Sequence, residues 1–141
     1  MIVLMINELR EKIYDKLNTL ISVAEVFDWV PSNFWWFPSI YFSFDRVESS
    51  SLSNHHNERV YYFQINIFQE VSTLWVNISE KNLCNVLDEV IELFDWSYLG
   101  WLTTLIDAVW GNIEPVETDV WAALHAIVLL WIHVPFELGN W

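Results

Sequence analysis

The sequence predicts an α+β two-layer sandwich, an antiparallel sheet of about four strands packed on two main helices in the order α-β-β-α-β-β. Three observations lead there. Two neighbouring segments, Phe37 to Asp45 and Glu58 to Phe68, alternate apolar with smaller or polar residues, which is the period of a half-covered strand. One stretch before this pair and one after it repeat apolar residues at spacings of three and four, which is the period of an amphipathic helix. A nearly continuous apolar run, Val120 to Val134, follows near the C-terminus.

The first helix is expected over about residues 5 to 26. Ile6, Leu9, Ile13, Leu17, Leu20, Ile21 and Ala24 form its stripe, and Glu8, Arg10, Glu11, Lys12, Asp15 and Lys16 fill the other face. The apolar start, Met1 to Ile6, has no preceding positive charge and runs straight into Glu8 and Glu11, so it reads as the lead-in to this helix and not as a signal peptide. Pro31 and Pro38 then bracket a segment that cannot be regular helix throughout. Within it, Phe34-Trp35-Trp36-Phe37 is the most conspicuous apolar patch outside a clear element.

The first strand is expected at about 39 to 47, with Ile40, Phe42 and Phe44 on one face and Tyr41, Ser43 and Asp45 on the other. A polar loop from Glu48 to Glu58 follows. It is longer than a tight turn and reads as a mobile arm or extended hairpin tip, with Ser50, Ser51, Asn54, His55, His56 and Asn57 as candidate contact residues. The second strand spans about 59 to 69. Tyr61, Phe63, Ile65 and Ile67 point one way, and Tyr62, Gln64, Asn66 and Phe68 the other. A connector from Glu70 to Ile78 carries Trp75. The second helix is expected at about 80 to 95, with Ser79 as N-cap and Leu83, Val86, Leu87, Val90, Ile91 and Phe94 as its stripe. Strands at about 102 to 110 and 122 to 135 complete the set. Gly111, Asn112, Pro115, Glu114, Glu117 and Asp119 form the turn between them.

Composition bounds what such a domain can do. At 141 residues the chain is expected to be a single domain with a sizeable core. Apolar residues make up 54% and aromatics 17%, and ten tryptophans are hard to hide in a small monomer. They belong either to a tightly packed aromatic core or to a subunit interface. The net charge of -13 argues against tight binding to nucleic acid, which needs basic groups to displace counterions, and against docking on anionic lipid. The acidic surface either keeps an apolar chain soluble or repels a passing polyanion. The run Val120 to Val134 is too short for a comfortable membrane span and is interrupted by His125 and His133, so a buried strand is favoured.

No group of residues assembles a recognisable chemistry. The lone Cys84 falls on the second helix and is expected to be a buried, inert thiol. His55 and His56 are adjacent and poorly placed to hold one metal. His125 and His133 would share a strand face but stand roughly 25 Å apart, too far to share an ion. Glu114, Glu117 and Asp119 lack the alternating ligands and glycine of a calcium loop. Three glycines cannot build a phosphate cradle, and Ser49 to Ser51 lack the context of a nucleophile elbow. No catalytic, cofactor or metal role is therefore assigned, and the chain is not expected to be an enzyme.

The succession of elements resembles the tail terminator (tail completion) and minor head-to-tail joining proteins of long-tailed bacteriophages. A helix from Ile6 to Ala24 leads to a strand beginning with an aromatic residue and proline, Phe37-Pro38-Ser39-Ile40-Tyr41-Phe42. A polar loop separates it from an Arg59-led strand, Val60 to Phe68. The helix Leu83 to Phe94 and the apolar strand Ala122 to Val134 then follow. The resemblance implies a small α+β subunit of a homo-hexameric ring that caps the tail tube, stops its growth and presents a surface to the head connector. It implies a virion location at the head-tail junction after synthesis in the host cytoplasm. The implied partners are the chain itself, the tail-tube protein and the connector or neck protein, with DNA only as passing cargo and no membrane. On this expectation Phe34, Trp35, Trp36, Trp75, Trp96 and Trp101 are candidate subunit or ring-ring contacts.

Three alternatives stand beside it. Another neck or head-completion protein would share the element pattern. A membrane-associated protein would use Val120 to Val134 and Met1 to Ile6. A small ligand-binding α+β domain would turn its aromatic residues into a pocket.

Overall fold

A computed structural model describes residues 2–31, 36–51, 56–71, 76–94, 98–99, 102–117 and 122–137. Helices α1 (Ile2–Leu17) and α2 (Val76–Phe94) pack on one sheet of six strands. The strands are β1 (Glu25–Phe27), β2 (Ser39–Ser51), β3 (His56–Glu70), β4 (Tyr98–Leu99), β5 (Leu102–Glu117) and β6 (Ala122–Glu137). Their spatial order is β1-β2-β3-β6-β5-β4. All pair antiparallel except β1, which runs parallel to β2. This is the α+β architecture that the sequence predicts, with two more strands than expected. β1 and β4 span three and two residues and are too short to show a period.

The core lies between the helices and one face of the sheet. Leu9, Ile13 and Leu17 of α1 and Leu83, Val86, Leu87, Val90 and Phe94 of α2 meet Ile40, Phe42, Phe63, Ile65, Ile67, Val128, Leu130 and Ile132. Each fully buried Leu, Ile or Phe contributes about 1.5–3 kcal/mol over its exposed state. β6 reads as nearly continuous apolar residues because it is central. It pairs with β3 along its whole length, from Glu70↔Ala123 to His56↔Glu137, and with β5 on its other side.

Helix α1 ends at Leu17, short of the expected 26. The Asn18 amide, backbone and side chain, donates to the Tyr14 carbonyl, and the Thr19 hydroxyl donates to the Lys16 carbonyl. These bonds satisfy the last turn and release the chain. The Ala24 N–H then donates to the Pro38 carbonyl, and Glu25–Phe27 joins the sheet. The Phe37–Pro38 peptide beside this junction is cis.

Other boundaries also differ. α2 begins at Val76, so Ser79 is a buried interior residue and not the N-cap. The connector that was expected to reach Ile78 therefore ends earlier, and Trp75 lies outside the described residues. Cys84 is exposed, not buried, because it stands one position past Leu83 and rotates off the core stripe. Gly111, Asn112 and Pro115 do not form a turn. β5 continues through them to Glu117, and they accompany a register shift between Trp110 and Glu114. Glycine at a bulge and proline where β4 no longer pairs are both compatible with a strand. Glu114 and Glu117 thus belong to β5, and Asp119 lies outside the described residues.

Candidate interaction surface

Both helices cover the same side of the sheet, so among the described residues no helix covers its other face. Even spacing along β6 sends His125, Ile127, Leu129, Trp131 and His133 there, and all five are partly exposed. From β3 come Tyr62, Gln64, Asn66 and Phe68, and from β2 Tyr41 and Ser43. At the middle of this face the partly exposed Ile127 and Leu129 stand beside Asn66 and Gln64 of β3.

One end is closed by an aromatic stack. Phe68 lies between Tyr41, at 5.7 Å, and the His125 ring, at 4.4 Å and nearly parallel. Phe27 and Phe37 pack against the same cluster. His125 Nε2 is 2.9 Å from Asn66 Oδ1, so the ring nitrogen donates to the buried amide oxygen. Partial burial pushes the Tyr41 phenol above its ordinary value.

The other end is charged, and a β-bulge makes it so. Asp45 has no partner in the ladder between Phe44↔Phe63 and Arg46↔Tyr62. With simple alternation Arg46 would follow Ile40, Phe42 and Phe44 into the core. The extra residue turns Arg46 and Glu48 to the open face and returns Val47 to the core. Arg46 bonds Asp45 at 2.6 Å and Glu48 at 3.0 Å. The Tyr62 hydroxyl donates to the second Glu48 oxygen at 2.9 Å. The Tyr62 hydroxyl and Arg46 hold the Glu48 carboxyl below its ordinary value, and the bond to Glu48 raises that of Arg46. Trp131 meets Tyr62 edge to face at 5.0 Å, and His133 pairs with Glu58 beside it.

A second exposed apolar set lies at the β1 edge. Trp29 and Val30 are 58% and 65% exposed, and Trp29 is held edge to face on Phe27 at 5.9 Å. Asp28, just before them in the chain, lines a groove of about 390 Å³ together with Asn7, Arg10, Glu11 and Tyr14.

Of the residues expected to make contacts, Trp36 is 67% exposed and available. Phe34, Trp35, Trp75, Trp96 and Trp101 lie outside the described residues. The expected contact loop is mostly ladder. Ser50 pairs with Glu58 and Ser51 with Asn57, and His56 stands opposite Glu137. Asn54 and His55 lie outside the described residues. The strands extend this far because Ser and Asn still complete backbone bonds, whereas their polarity suggests a loop. Sequence reasoning missed Leu129, Trp131 and Arg46 as surface residues. The even spacing in β6 was a usable signal, while the bulge left none.

Among the described residues no three His, Cys, Asp or Glu side chains converge as a metal site would require, and no helix is long and apolar enough to cross a membrane. No family model matches the chain, and no curated protein matches it in sequence. A solved structure resembles it with a TM-score of 0.47 and 12% identity, over 94% of this chain and 95% of that one, a likeness too distant to carry an argument.

Proposed function

We propose that the protein is a structural virion subunit at the head-tail junction of a long-tailed bacteriophage, a tail terminator that assembles as a homo-hexameric ring. In this role it caps the tail tube and joins it to the head connector, with no catalysis of its own. The observation that carries the proposal is the one-sided cover of the sheet. Ile127, Leu129 and Trp131 stand partly exposed on a broad sheet face that no described helix covers, as a subunit that completes its burial against a copy of itself requires. The net charge of -13 supports a lumen through which DNA passes without adhering. A different neck or head-completion protein would use the same face.

The test is the mass in solution by light scattering across a concentration series without detergent. A ring of about six subunits, or a monomer that assembles as concentration rises, is expected. A monomer at every concentration overturns the proposal. Negative-stain images of the protein mixed with purified tail tubes separate a terminator, which sits on tube ends, from another neck protein, which does not.

A further inference from the structure

We infer that the groove between α1 and the segment after β1 binds an arginine- or lysine-bearing segment of a basic partner protein, with Asp28 as the charged anchor. Asn7, Arg10, Glu11 and Tyr14 line one wall from successive turns of α1, and Asp28 lines the other. The Arg10 guanidinium donates to the Asp28 carbonyl at 2.6 Å, which ties the two walls together. Asp28 Oδ1 is shielded from water and meets no donor among the described residues. A buried acceptor without a donor is costly and marks a place where a donor is missing.

Tyr14 lines the groove at 37% exposure, and Trp29 and Val30, 58% and 65% exposed, follow Asp28 directly in the chain. An anionic centre beside exposed aromatic and aliphatic groups suits a long side chain with an apolar stem and a cationic head. The head meets Asp28 and Glu11, and the stem lies on Tyr14 and Trp29, whose rings also attract the cation. Phe27 braces Trp29, so little ordering remains to be done on binding.

The charge balance favours a different protein over a second copy. With six basic against 19 acidic side chains, a second copy offers few cations to this groove. Of those six, Arg10 and Arg46 already bond within the subunit. This inference does not depend on the ring proposal.

The probe is a short synthetic peptide of alternating leucine and arginine, titrated into the nitrogen-15-labelled protein. The Trp29 indole resonance, assigned by its loss in Trp29→Phe, reports on the groove. Saturable shifts of that resonance are expected, with none from the same peptide carrying neutral citrulline in place of arginine. Asp28→Asn is expected to weaken binding roughly tenfold or more, the loss of one charge-assisted bond, and Tyr14→Ala to weaken it while circular dichroism stays unchanged. Equal binding by Asp28→Asn, shifts that avoid Trp29, or tighter binding of calcium chloride alone to the same resonances would each overturn the inference. So would a Trp29 shift that follows protein concentration without peptide, which makes a second copy the occupant. Light scattering on Asp28→Asn separates this inference from the ring proposal, because the assembled mass is expected to be unchanged.

Discussion

Arg46 lies over Tyr62, its guanidinium carbon 4.1 Å from the ring centroid, and Glu48 bonds both side chains. The arrangement exists because Asp45 is one residue more than the β2–β3 ladder needs. Charge reaches the open face of the sheet at this point, and among the described residues no charged side chain is buried in the core behind it. Deleting Asp45 removes the extra residue, so Arg46 follows Phe44 directly and stays opposite Tyr62 on the open face. The variant is expected to keep a single cooperative urea transition. Loss of that transition would sink this account of the bulge.

Glu48 supplies a pH signature. Its folded carboxyl titrates below the ordinary value of 4.5, through the Tyr62 hydroxyl first and Arg46 second. The sign follows from linkage: the folded state holds this proton less tightly than the unfolded chain does. The associated stability is present above the ordinary carboxylate value and is lost as pH falls through the lowered one. In a carbon-13 NMR titration Tyr62→Phe is expected to move the Glu48 midpoint upward. An unmoved midpoint removes the phenol as the principal cause.

Phe63 sits at the centre of the core, fully buried and edge to face with Phe44 at 5.5 Å. Phe63→Ala is expected to cost about 3–5 kcal/mol in guanidinium unfolding. A loss under about 1 kcal/mol would mean that helices and sheet do not close over this ring.

In the proposed ring, Leu129 separates assembly from folding. It is partly exposed at the middle of the open face, while its neighbours Val128 and Leu130 point into the core. Leu129→Arg is expected to reduce the mass of the assembly toward that of a monomer, with circular dichroism and unfolding midpoint little changed. An assembly of unchanged mass would place the subunit contact elsewhere.

The two-layer fold was legible because its main elements announce their periods. Ile40, Phe42 and Phe44 against Tyr61, Phe63, Ile65 and Ile67 is a period of two, and Leu83, Val86, Leu87, Val90 and Phe94 a period near 3.6. Elements set by tertiary pairing were not legible. Glu25–Phe27 becomes a strand only because Ser39, Ile40 and Tyr41 lie beside it. Before folding it is indistinguishable from the end of α1. Gly111 and Pro115 signal a turn locally, and the long pairing with β6 overrides them. The open face was readable in part, since the alternation of His125 to His133 was visible. That no helix covers it is a matter of topology. The Asp28 groove had no sequence signal, because it joins two segments that only folding brings together.

The pairing of β3 with β6 also fixes when the molecule can mature. α2, β4 and β5 lie between β3 and its central partner β6 in the chain, so His56 waits for Glu137 and Phe63 for Leu130. During synthesis the β2–β3 hairpin leaves the ribosome with Phe42, Phe63 and Ile65 exposed and one strand edge unpaired. It stays so until the last strand emerges. Leu129 and Trp131 are displayed only once β6 has been made and paired, so a chain that stops short of β6 lacks this face altogether.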